Sequence, residues 1–286
     1  MILVTGGTGF VGRHLVSRLM EMEERVRVLA RAGDDLPGVE IIHGDVRDLS
    51  AVVGAARGCR AVIHLVGIIR ESRGASFRAL HVDATRTVVR ACQEAGVERL
   101  LHMSALGARP GARSRYHRTK WRAEELVRAS DLAATIFRPS VIFGLGNSFL
   151  PRIRDLLRRG RVIPIVGGGM GLLQPIWVED VVSCFVGALA NPETIGRDYE
   201  LGGPETYGFE QLVDLLAESE GVNKSKVHLP MWLLRPAVSV MIRAAPKLPV
   251  TPDQLIMLGE DNACDIREMC ETFGIEPASL REHLPD

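Results

Sequence analysis

A strand that runs into a glycine-rich turn and then straight into a helix leaves a chain few folds to choose from. This chain does so within its first twenty residues. Four apolar residues, Met1 to Val4, lead into Thr5, Gly6, Gly7, Thr8, Gly9, Phe10, Val11 and Gly12, and a run of helical spacing follows from Arg13 to Met20. Each of three glycines has a physical task if the turn carries a pyrophosphate. Gly6 permits the tight strand-to-helix turn, Gly9 lets phosphate approach the backbone with no Cβ in the way, and Gly12 lets the helix pack close on the sheet. The free N–H groups and positive end of the helix would then receive the phosphates. A glycine triplet alone is a weak signal; strand before and helix after make this one a dinucleotide cradle.

The rhythm continues. Strand-like runs at 25–30, 39–43, 61–64, 99–103 and 132–137 alternate with helical periodicity at 48–56, 77–95 and 116–129. Strand and helix at that spacing predict right-handed βαβ units, hence an α/β fold: a Rossmann-type doubly wound parallel sheet with helices on both faces. The 286 residues suffice for a sizeable core, and no internal repeat or low-complexity tract interrupts them.

Thirty-five basic and thirty-five acidic side chains cancel, so no global field draws the chain to nucleic acid, and no nucleic-acid partner is expected. Five scattered cysteines (59, 92, 184, 264, 270) form no C-x-x-C pair and no metal-ligand spacing, which predicts a reduced cytoplasmic protein without a metal. Met1 already belongs to the first strand, so no signal peptide is expected, and no uncharged apolar run reaches membrane-spanning length.

The residue after the second strand separates two dinucleotides: an acid there binds the ribose 2′-hydroxyl of NAD, an arginine the 2′-phosphate of NADP. Arg31 follows the strand directly, Asp34 and Asp35 lie beyond Gly33, and Arg13 stands just past the cradle. NADP is therefore the expected cofactor, with NAD as the alternative. Asp45 after the third strand would accept from the adenine amino group, or else cap the helix ahead of Leu49. Val46, Leu65, Val66, Gly67, Met103, Pro139, Ser140 and Val141 complete the strand-end residues expected to line the cofactor crevice.

Basic charge is carried almost wholly by arginine, and lysine occurs only at 120, 224, 226 and 247. Of three tyrosines, Tyr116 alone has a lysine four residues on, which puts Tyr116 and Lys120 on one helix face. An ammonium beside a phenol favours phenolate and lowers its pKa, making Tyr116 a proton donor or acceptor for a carbonyl or hydroxyl. Lys120 would also hold the nicotinamide ribose. Ser104, twelve residues upstream at a strand end, would polarise the substrate oxygen or simply satisfy backbone.

The cradle, Gly44-Asp45, Tyr116-x-x-x-Lys120 and the run from Arg138 to Gly144 together resemble the short-chain dehydrogenase/reductase superfamily, extended or atypical branch, over residues 1–205. The run from Gln174 to Asp180 and that from Thr251 to Asn262 resemble bacterial relatives of the NADPH-binding accessory subunit of respiratory complex I, proteins of the NAD-dependent epimerase/dehydratase type. Active members carry an asparagine on the helix before the serine strand; here His81-Val82-Asp83 stands there, and Ala105 and Leu106 occupy the usual serine or threonine places. The resemblance implies a dinucleotide-binding domain of residues 1–145 plus 172–204, interleaved with a smaller C-terminal substrate lobe of 146–171 plus 205–286. It implies either hydride transfer on an unknown small molecule, with Tyr116, Lys120 and Ser104 as catalytic residues, or a cofactor-holding subunit without turnover, associated with a membrane periphery or respiratory complex. Three further features carry open readings. Arg152, Arg154, Arg158, Arg159 and Arg161 form either a solvated face or an anion site, Gln174 and Trp177 line a pocket or belong to the core, and the apolar stretch 229–245 is a lid, a docking surface or interior packing.

Overall fold

The computed structural model describes residues 1–31, 36–147, 149–159, 162–166, 171–229 and 251–284. The expected strands form one parallel sheet of seven: β1 (Ile2–Thr5), β2 (Val26–Ala30), β3 (Glu40–His43), β4 (Ala61–His64), β5 (Arg99–Met103), β6 (Ala133–Pro139) and, from the second half of the chain, β11 (Asp198–Leu201). Their spatial order is β11-β6-β5-β4-β1-β2-β3, so the winding reverses between β1 and β4. That reversal opens the crevice at the carboxyl ends of the strands where ligands of such sheets bind.

Burial on both faces explains the near-continuous apolar strands. On one face α1 (Phe10–Glu21) and α6 (Val178–Ala190) meet through Leu15, Leu19, Val181, Val182 and Phe185. On the other, α2 (Leu49–Ala56), α3 (Ala84–Ala95) and α4 (Arg115–Arg128) bring Val52, Ala55, Val88, Cys92 and Val127 against the sheet. The stretch expected as one helix from 77 to 95 opens instead with a wide π-turn, Arg78–Asp83, before α3. Such turns concentrate at functional sites.

The second half adds β7 (Ile142–Phe143), α5 (Phe149–Arg159), β8 (Val162–Val166), β9 (Leu172–Leu173), β10 (Ile176–Trp177), β12 (Tyr207–Gly208), α7 (Phe209–Ser219) and β13 (Ser225–Leu229). Leu157, Ile163, Leu212 and Leu216 close a separate apolar cluster there. Segment 205–286 does not stay with that cluster: α9 (Arg267–Phe273), which follows α8 (Pro252–Leu258), packs Met269 and Phe273 back against the main one. Phe273 lies 4.9 Å from the Tyr199 ring. The chain ends on a single turn, Arg281–His283, and just before it Ala278 N–H donates to the Asp180 carboxylate at the start of α6 at 2.9 Å. Asp34, Asp35, Arg161, the glycines at 167–169 and the apolar stretch from 230 lie outside the described residues.

Candidate active site

Gly6 turns the chain out of β1 with φ +80°, the left-handed region that glycine enters freely. Gly9 N–H donates to Gly6 O at 3.0 Å, and α1 starts with no side chain capping its first N–H groups. Those donors are left for a ligand. A Cβ on Gly9 would touch Gly6 O at 3.2 Å and otherwise project into open space, whereas one on Gly12 would lie 2.2 Å from Gly6 O and 2.6 Å from Gly7 Cα. The cradle therefore fits a pyrophosphate, and its shape depends on Gly12. Gly12→Ala is expected to force the turn open, lowering stability by about 1–3 kcal/mol and weakening dinucleotide binding, as measured by thermal unfolding and nucleotide titration.

Arg31 is exposed at the end of β2, and Arg13 Nε donates to Thr8 O at 3.0 Å. Asp45 has a partner within the chain. Its carboxylate accepts from Arg47 N–H at 2.9 Å and from the Arg47 guanidinium, which holds it down to about 2 with Arg31 contributing from farther away. Nor does Asp45 cap α2: Asp48 does, accepting from Ser50 N–H at 2.9 Å. Arg47, which sequence reasoning passed over, holds Asp45 directly, and Arg31 adds a weaker electrostatic pull.

Ser114 caps α4, accepting from His117 N–H at 3.1 Å, and fixes the start of the helix that carries Tyr116 and Lys120. Both side chains are buried, Tyr116 among the rings of Phe77, His81 and His117 at 5.8, 5.3 and 5.3 Å. Lys120 Nζ donates to Met103 O at 2.9 Å and passes so close to Gly67 that a Cβ there would be 2.9 Å away. The pairing on one face stands, but its expected effect on the phenol does not. Burial pushes Tyr116 up to about 12 and brings Lys120 down to about 8, against the pull of Glu124. Desolvation outweighs the ammonium's influence, so Tyr116 keeps its proton at neutral pH. A neutral phenol is the form that donates to a carbonyl oxygen.

Ser104 is also placed differently. Its hydroxyl donates to Glu124, a fully buried carboxylate that also accepts from Arg138 Nε at 2.9 Å and from Arg128 Nη2 at 2.6 Å. Asp198 closes the network on both arginines. Ser104 thus braces the end of β5 against α4, its proton held by the Glu124 carboxylate. Glu124 was missed in the sequence, although a signal existed: positions 116, 120 and 124 lie one turn apart on one face, and an acid on a buried stripe demands a partner.

Other expected residues hold the frame. Lys120 engages Met103 through its carbonyl, Pro139 O accepts from Leu106 N–H at 2.9 Å, the Ser140 hydroxyl donates to Gln174 O, and Val141 N–H donates to the Asn262 side chain at 3.1 Å. Leu65 N–H donates to Thr5 O at 3.0 Å, while Val46 and Val66 pack under the crevice. Gln174 is a buried cross-brace from Gly203 O to Cys264 N–H, and the Trp177 ring lies tilted against His283, with centroids 3.9 Å apart. Of the arginine cluster, Arg154 and Arg158 pair with Glu220.

Comparison with known proteins settles the lineage. The family model "NAD dependent epimerase/dehydratase family" matches residues 2–202. The chain belongs to that family. It is 30% identical over 275 residues to "NADH dehydrogenase [ubiquinone] 1 alpha subcomplex subunit 9, mitochondrial" of Arabidopsis thaliana, covering 91% of this chain and 68% of that protein. To "Ceramide reductase" of Caulobacter vibrioides it is 32% identical over 197 residues, 67% of this chain and 62% of that protein. Its fold superposes on MoeE5, solved in complex with UDP-glucuronic acid and NAD, with a TM-score of 0.78 at 23% identity, covering 99% of this chain and 96% of that one. The relatives thus include both a respiratory-complex subunit and a reductase. Among the described residues no helix is long and apolar enough to cross a membrane.

Proposed function

We propose that this chain binds NADPH and carries out hydride transfer at a carbonyl or hydroxyl carbon of a small molecule, in the cytoplasm. The observation that carries the reading is the buried Tyr116 one helical turn from the buried Lys120, beside strand ends that lead back to the glycine cradle. The cradle N–H groups would hold the pyrophosphate, and Arg31 with Arg47 the 2′-phosphate. The bound nicotinamide supplies the hydride chemistry. Tyr116 gives its proton to the developing alkoxide in the reductive direction, and Lys120, held by Met103 O, keeps positive charge beneath it. Five unpaired cysteines suit a reducing compartment.

Arg31→Ala tests the cofactor assignment. Loss of a charge-assisted contact to phosphate is expected to weaken NADPH by about 10- to 100-fold and leave NADH unchanged, by fluorescence titration. Wild-type protein that prefers NADH would contradict it.

One observation favours a second reading, a cofactor-holding subunit without turnover: the Ser104 hydroxyl donates its proton to the buried Glu124 carboxylate. The similarity to a respiratory-complex subunit agrees with that reading.

A further inference from the structure

Behind Tyr116 lies a buried polar chain that the proposed reaction does not use. His81, 1% exposed in the π-turn, stacks on Phe77 at 5.4 Å and sets its ring edge-on to Tyr116 at 5.3 Å. Its Nδ1 is 2.8 Å from Thr119 Oγ1, and its Nε2 is 3.2 Å from Ile68 N and 3.1 Å from Ile68 O. Thr85 Oγ1 donates to His81 O at 2.6 Å; His64 Nε2 lies 3.2 Å from Thr85 Oγ1, and His64 Nδ1 lies 2.6 Å from Thr5 Oγ1, the residue that opens the cradle.

The proton positions follow from the partners. Thr119 has the carbonyls of Arg115 and Tyr116 at 2.9 Å each, so its own proton goes there and His81 Nδ1–H donates to it. His81 Nε2 is held against the Ile68 peptide, between its N–H and its carbonyl. In the same way Thr85 gives its proton to His81 O, His64 Nε2–H donates to Thr85, and Thr5 O–H donates to His64 Nδ1. Burial and the neighbouring Lys120 charge keep both imidazoles neutral, His64 down to about 3 and His81 to about 2, so neither tautomer is disturbed near neutrality.

Two of these contacts reach the two sides of the reaction. Thr119 sits on α4 between Tyr116 and Lys120, and Ile68 follows Gly67, the floor over which a nicotinamide would lie. We propose that His81 is a positioning residue that registers the proton-transfer helix against the cofactor floor, with one ring nitrogen committed to each. The role rests on the hydride-transfer reading above. His81 reaches the reacting atoms only through Thr119, Ile68 and the face of Tyr116.

The two nitrogens can be separated by substitution, because an asparagine amide overlays Nδ1 and a glutamine amide overlays Nε2. His81→Asn keeps the bond to Thr119; kcat for NADPH-dependent reduction of phenanthrenequinone is expected to stay near wild type while the NADPH dissociation constant rises about three- to tenfold. His81→Gln keeps the bond to Ile68; NADPH affinity is expected to hold while kcat falls about tenfold or more. Thr119→Val, which leaves the buried ring in place, should reproduce the glutamine pattern, and Thr119→Ser should restore wild-type behaviour. Equal losses of kcat and affinity in all His81 variants, tracking a lower melting temperature, would reduce His81 to a packing residue and overturn the proposal, as would no change in either quantity. Absence of turnover in the wild type would sink the enzymatic reading but not the floor contact, which the NADPH titrations decide alone. The helix contact is then read from tyrosinate absorbance, isolated by subtracting Tyr116→Phe: the ionisation of Tyr116 should shift in His81→Gln and Thr119→Val and stay put in Thr119→Ser.

Discussion

Replacing Tyr116 by phenylalanine is expected to cut turnover by about 10²- to 10⁴-fold while NADPH affinity stays at the wild-type value. The substitution removes one oxygen from a ring already packed among Phe77, His81 and His117, so the fold has little to lose. Tyr116 carries its proton throughout the neutral range, and its buried neighbour Lys120 loses its charge only as the pH rises through about 8. Wild-type turnover in the reductive direction should therefore be flat through neutrality and decline above about pH 8, steady-state rates in overlapping buffers being the check. Unchanged turnover in Tyr116→Phe would place the proton donor elsewhere. Tight NADPH binding with no turnover in either protein would favour the subunit reading.

The largest expected effect on stability comes from Glu124→Ala. The carboxylate is fully buried and engages Ser104, Arg128 and Arg138 at once. Removing it leaves two guanidiniums sharing Asp198 and a serine hydroxyl facing a void. Breaking one partner out of a buried ion pair costs about 3–5 kcal/mol, and the lower end applies because Arg128 is 34% exposed and can rehydrate. A fall in melting temperature on the order of 5–10 °C follows for a chain of this size. Glu124→Gln should lose less, since the amide still accepts from one arginine. A melting curve indistinguishable from wild type would mean that the network is not a brace.

The sheet was legible because its signals are local: apolar strands at regular spacing, a glycine turn, helices of matching length. The same holds for the register of Tyr116 and Lys120, which needs only the helical period. What a strand end does with its side chains is not local. Asp45 turns to Arg47 two residues on, Ser104 to Glu124 twenty residues on, and Val141 to Asn262, 121 residues on. Each choice depends on which element folds alongside. The phenol's ionisation was misjudged for a related reason, since helix spacing reports that Lys120 is near but not that both groups are buried. The π-turn was hidden too, because His81 fits a helical pattern and only its contacts to Ile68 and Thr119 reveal the wider turn.

The claim on which the rest depends is that the turn from Thr5 to Gly12 holds NADPH. Titration of the purified wild-type protein with NADPH, followed by the cofactor's own fluorescence and repeated with Gly12→Ala, tests it most directly. The account predicts saturable binding at sub-millimolar NADPH, tighter than NADH, and its loss in Gly12→Ala. Failure of both nucleotides to bind below millimolar concentration, or equal binding to the Gly12→Ala variant, would contradict it.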